Sequence, residues 1–68
     1  MLRELRVQVM QKLQEIPMIS EDYTIAIATL LRTPEQAQEM MDYLEKIDLK
    51  ATKMTPIINK ALELNKKN

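Results

Sequence analysis

The sequence predicts an all-α fold, a compact bundle of four short helices with an orthogonal corner between the second and the third. Two patterns carry that expectation. Apolar residues recur at spacings of three and four along most of the 68-residue chain, the sign of one buried helix face. Helix-start residues stand just ahead of those stripes at Ser20, Thr33-Pro34 and Thr55-Pro56. A third observation sets the scale. This length holds one domain, residues 1–68, and without Cys or His neither disulfides nor a structural zinc can staple it. Leu, Ile and Met must supply the core, with Tyr23 and Tyr43 as the only aromatics. So short a chain buries only about 60% of its unfolded surface, and is marginal unless its core is efficient or shared with a partner.

The first helix is expected over about residues 2–15. Leu2, Leu5, Val9, Leu13 and Ile16 form its stripe, opposite Glu4, Gln8, Gln11, Lys12 and Glu15. Pro17 stops it, because the proline ring drives Ile16 out of the helical region. The connection Ile16-Pro17-Met18-Ile19 is apolar and is expected to fold under onto the core.

A second helix follows over about 21–31. Ser20 offers its oxygen to the orphan N–H groups of the first turn, and Glu21 and Asp22 place negative charge on the positive helix end. Residues 23–31 are apolar nearly all round, which predicts a central, mostly buried helix. They also alternate large and small like a strand, but a lone strand among helices has nothing to pair with, so helix is preferred.

The third helix is expected over 34–47. Thr33 caps it, Pro34 takes the first helical position, where a missing N–H is harmless, and Gln36 completes a capping box. Ala37, Met40, Met41, Leu44 and Ile47 face inward, and Glu35, Glu39, Asp42 and Lys46 face outward. Thr33→Ala should therefore lower stability by about 1 kcal/mol, and Thr24→Ala, with no such role in the pattern, by less. A polar connection from Asp48 leads to the fourth helix, about 56–66, started by Thr55-Pro56. Its stripe is Met54, Ile57, Ile58, Ala61 and Leu64.

Composition narrows the function. There is no His to titrate near neutrality, no Cys thiolate and no Gly for a phosphate loop. Ser20, the only serine, is explained by capping and has no neighbouring base in the sequence. Glu35, Glu39 and Asp42 share a helix face and could hold a hard cation, but Asp42 also stands four residues before Lys46, the spacing of a surface ion pair. A solvated face is the expectation. The chain is thus expected to be no enzyme, with no catalytic, cofactor-binding or metal residues. No apolar run reaches the roughly 18 residues of a membrane span, and the charged start Met1–Arg6 lacks the apolar stretch of a secretory signal. A cytoplasmic location is expected.

Charge is zero overall but unevenly spread. Arg3, Arg6 and Lys12 against Glu4 give residues 1–14 a net +2. Residues 15–48, with Glu15, Glu21, Asp22, Glu35, Glu39, Asp42, Glu45 and Asp48 against Arg32 and Lys46, carry −6. Residues 49–68 carry +4, from Lys50, Lys53, Lys60, Lys66 and Lys67 against Glu63. Helices of opposite charge lying side by side account for this pattern. The sharper alternative is a polyanion-binding surface made by those five lysines with Asn59 and Asn65.

Residues 27–35 resemble a helix-turn-helix, with a small residue after Ile27, the pair Leu30-Leu31 and a polar helix start. The resemblance implies a small nucleic-acid-binding regulator. It departs from the pattern at Arg32, where a turn glycine is usual, and at Gln38, where an apolar side chain is. Glu35, Glu39, Asp42 and Glu45 would moreover point a would-be recognition helix's negative charge at phosphates.

The principal expectation is a small non-enzymatic interaction or regulatory module that presents an apolar helix face to itself, as a homodimer, or to a protein partner. Val7 and Met10 widen the apolar arc of helix one beyond what one intramolecular neighbour needs, so the expected surface is Leu2, Leu5, Val7, Val9 and Met10. Six methionines at Met1, Met10, Met18, Met40, Met41 and Met54 are read as core filling past the first, with an adaptable partner groove as the alternative.

Overall fold

The computed structural model describes residues 1–51 and 53–66. Four helices account for its regular structure, and no strand occurs among the described residues: α1 (Leu2–Leu13), α2 (Glu21–Leu30), α3 (Pro34–Lys46) and α4 (Met54–Lys66). The fold is all-α, as the apolar stripes require. Segment 23–30 is helical despite its alternation, since no other strand is present to pair with it.

Helix starts follow the sequence closely. Ser20 sits in extended backbone and accepts the Asp22 N–H at 3.1 Å. Thr33 does the same for the Gln36 N–H at 3.1 Å, with Pro34 in the first turn. Gln36 is 5% exposed, and its side-chain oxygen accepts the Arg32 N–H at 2.8 Å, reaching one residue further back than the Thr33 N–H of a standard capping box. The fourth start is displaced. α4 begins at Met54, so Thr55 and Pro56 lie inside its first turn, where N–H groups lack helical partners and proline is tolerated.

Ends are less faithful. α1 stops at Leu13, two residues early, and tightens into a last turn with Glu15 N–H on Lys12 C=O at 3.1 Å and Ile16 N–H on Leu13 C=O at 3.0 Å. Next comes a turn closed by Ile19 N–H on Ile16 C=O at 3.3 Å, with Pro17 second and Met18 third at φ 63°. A type II turn wants glycine at that third position, and a left-handed methionine costs about 1–2 kcal/mol. The apolar connection folds under only in part. Ile16 is buried and Ile19 packs on the core, while Pro17 is exposed and Met18 is 101% exposed.

The core combines Val9, Leu13 and Ile16 with Ile27, Leu31, Ala37, Met40, Leu44, Leu49, Ile57, Ala61 and Leu64. Leu49 belongs to the connection after α3 and is 6% exposed. Asp48 turns the chain there, its carboxylate accepting the Lys50 N–H at 3.0 Å. α1 packs against α3 and α2, and α4 closes the ring against the other sides of those two. α2 and α3, although consecutive, make at most marginal contact. A helix-turn-helix packs that pair closely, so the arrangement departs from the resemblance here as it does at Arg32 and Gln38, although both helices contribute to the one core.

α2 corrects the expectation of a central, mostly buried helix. It buries Thr24, Ile27 and Ala28, but leaves Tyr23 49% and Ile25 47% exposed. Its end is closed by long-range hydrogen bonds: Arg6 Nε donates to Leu31 C=O at 2.8 Å, and Asn65 Nδ2 donates to Leu30 C=O at 2.8 Å. Thr24 also has a role after all. It is fully buried, and its hydroxyl donates to Glu21 C=O at 2.7 Å. Thr24→Ala leaves a gap of a methyl and a hydroxyl, so we expect a loss of about 1–2 kcal/mol, at least equal to that of Thr33→Ala. Urea midpoints of the two variants check this; a Thr24→Ala midpoint at the wild-type value would contradict the enclosed site.

Candidate interaction surface

The five residues expected on the shared face of α1 divide in the structure. Val9 is fully buried and belongs to the core, so it cannot be presented. Leu2 and Leu5 are half-buried and pack on the core cluster. Val7 is 45% exposed, and Met10 is half-buried without joining that cluster. The reason is angular. At about 100° per residue, Val7 and Met10 lie off the stripe of Leu2, Leu5, Val9 and Leu13. They share a side instead with Arg3 and Gln14, both exposed, in the order Arg3, Val7, Met10, Gln14.

That strip borders α2. Arg6 marks the α2 side of α1, because its guanidinium reaches Leu31 C=O, and Met10 is one helical turn further along. On α2, Asn65 of α4 reaches Leu30 C=O, which places that part of α4 at the C-terminal end of α2. α1 also packs on α2, and Glu21, Ile25 and Ala28 at i, i+4 and i+7 share one flank of that helix. Ala28, only 4% exposed, is small enough to let the helices approach, and Ile25 stands outside it. Val7 and Met10 of α1 and Ile25 of α2 are thus accessible apolar side chains on two helices that pack together. Single exposed aliphatics are ordinary, and it is exposed apolar residues grouped into larger patches that mark association sites. Ile25 escapes sequence reading because residues 23–31 are apolar on every side and no stripe stands out.

The other methionines disperse. Met40 is fully buried, Met41 and Met54 pack against the core, and Met18 and Met1 are exposed at separate places. Core filling describes the first three.

The alternative lysine surface does not converge. Lys50 and Lys53 are exposed before α4, and Lys66 is exposed at the far end of that helix, about 20 Å away by the helical rise. Lys60 is half-buried, 3.8 Å from Glu63 and 5.8 Å from the Tyr43 ring centroid. It lines a shallow cleft of about 250 Å³ with Glu39, Asp42, Tyr43 and Lys46. Two carboxylates beside two ammonium groups leave that cleft without an excess of either charge. Asn65 is committed to Leu30 C=O, and Asn59 is exposed. Lys67 lies outside the described residues.

Glu35, Glu39 and Asp42 are exposed on α3, with Asp42 accepting a hydrogen bond from Gln38 at 3.1 Å. Among the described residues no three carboxylates gather where a metal ion could be held. No described helix is long and apolar enough to cross a membrane. No family model, curated protein or solved structure matches this chain.

Proposed function

We propose that this domain is a non-enzymatic association module, of structural or regulatory use, that binds protein through the outer face of α1 and α2. One observation carries the reading: Val7 at 45%, Ile25 at 47% and the half-buried Met10 lie on two helices that pack together, and none of the three belongs to the core cluster. Full burial of such a side chain stabilises by roughly 1.5–3 kcal/mol; about half of that is unclaimed at Val7 and Ile25, and a smaller share at Met10. A short domain without disulfides gains by covering them.

The joint replacement of Val7 and Met10 by Gln tests this. Gln is a good helix former, so circular dichroism should be unchanged. Sedimentation equilibrium should find the unmodified protein associating at about 100 μM, above a typical micromolar Kd, and the variant monomeric. Association undiminished in the variant would mean that the face is wrongly assigned. A monomeric wild type at that concentration would end the self-association form of the reading.

A further inference from the structure

The outer face of α1 and α2 is complementary to itself, and we propose that its occupant is a second copy of this chain, docked antiparallel about a two-fold axis so that Arg3 of each copy meets Glu21 of the other. This rests on the association reading above and adds the partner, the orientation and the register.

Spacing supplies the first argument. Arg3, Val7, Met10 and Gln14 are separated by four, three and four residues, an order that reads the same from either end. An antiparallel copy centred between Val7 and Met10 sets Val7 against Met10 twice and carries Arg3 to the Gln14 end of the other copy's strip, toward the start of its α2, twice. Such a two-fold contact uses the same patch on both subunits and closes without leaving a free face. A parallel copy in register would instead set Arg3 against Arg3.

Charge supplies the second. α1 and α2 run in opposite senses, since Arg6 near the start of α1 reaches Leu31 just beyond the end of α2. The face therefore has Arg3 at one end, and at the other the start of α2 with Glu21 and Asp22, all three exposed. Glu21 lies on the same flank of α2 as Ile25. Glu4 stands about 100° round the helix from Arg3, off the strip. Antiparallel docking brings the basic end of each copy to the acidic end of the other, and parallel docking brings like to like. Opposed rim charges of this kind fix register and suppress wrong pairings.

Size sets the expected strength. α1 is 12 residues, about 18 Å long, so the patch is small against the 4637 Å² surface of the domain. Interfaces at the low end of the size range are weak and reversible, and a Kd of about 10–100 μM is expected.

The test is a charge exchange between copies. Arg3→Glu and Glu21→Arg are each placed in the full chain and followed by sedimentation equilibrium from about 5 to 500 μM at low salt, where rim charges are least screened. Both positions are exposed, and Ser20 and Asp22 remain at the start of α2, so the helical spectrum should persist. Each variant alone sets like charges together twice and should associate at least about tenfold more weakly than wild type. An equimolar mixture of the two restores both pairs and should form a heterodimer within about threefold of wild-type affinity. Single variants that dimerise like wild type, or a mixture that fails to recover, would overturn the antiparallel register. In that event the joint Val7 and Met10 replacement separates the two claims: if it dissociates the wild-type dimer the association reading stands, and if it does not that reading falls as well. A wild type monomeric across the whole range overturns the second copy as occupant.

Discussion

Leu44→Ala is expected to bring the domain to the edge of unfolding at 25 °C. Leu44 is fully buried in α3, among the side chains that join α1, α3 and α4 into one core. Truncation there removes three carbons and leaves a cavity that the surrounding helices can fill only in part, a loss of about 2–5 kcal/mol. The whole stability of a chain this size is roughly 3–10 kcal/mol, so the loss is a large fraction of what exists. Leu62→Ala is the matched control. Leu62 is 42% exposed on α4, and its truncation should cost under about 1 kcal/mol. Urea unfolding followed by circular dichroism measures both. A Leu44→Ala midpoint close to that of Leu62→Ala would mean that position 44 is not enclosed.

The second large effect is expected at the end of α2. That helix finishes at Leu30 without glycine, and Leu31 continues in extended backbone at φ −87° and ψ 105°. Its terminal carbonyls are partly buried, and two of them are met from elsewhere in the chain, by Arg6 of α1 and Asn65 of α4. Removing a donor leaves an acceptor short of both protein and ready access to water, which costs about 1–3 kcal/mol. Asn65→Ala and Arg6→Ala should each lower stability by that order, while Asn59→Ala, exposed on the same helix as Asn65, should be nearly neutral. Native-state hydrogen exchange localises the effect: amides in the last turn of α2 should lose protection before those of α3. Asn65→Ala with wild-type exchange throughout α2 would show that the carbonyl finds another donor.

These two expectations differ in how much of them the sequence foretells. Leu44 is legible, because its place on the three-and-four stripe of α3 marks it as inward by spacing alone. Arg6 and Asn65 are not. Each caps a carbonyl 25 or 35 residues away, and nothing local distinguishes them from a solvated arginine or an asparagine beside lysines. By its neighbours in sequence, Asn65 joins the lysines of a polyanion surface; folded, it is spent on α2.

The same division runs through the candidate site. Val7 and Met10 are visible as apolar residues off the main stripe of α1, and they remain the accessible part of the expected face. Val9 is on the stripe and is lost to the core, a consequence of the same periodicity read more strictly. Ile25 requires the fold. An apolar residue on an apolar helix shows its side only once the neighbours of that helix are known, and α2 has neighbours on two flanks and solvent on the rest.

What the sequence by itself determined are the four helices, the first turns of α2 and α3 and the inward stripes of α1, α3 and α4. Those features depend on residues three or four apart: Ser20 and Thr33 oxygens meet N–H groups two and three positions on, and proline restricts only its own surroundings. Tertiary structure alone decided where helices stop, which side of α2 is buried, that Leu49 leaves a polar loop for the core, and that α2 and α3 do not pack as a pair. Helix ends have several acceptable partners for their last carbonyls, and the burial of an all-round apolar segment depends on which surfaces reach it. Both are settled by contacts between residues far apart in the chain, and local spacing carries no record of them.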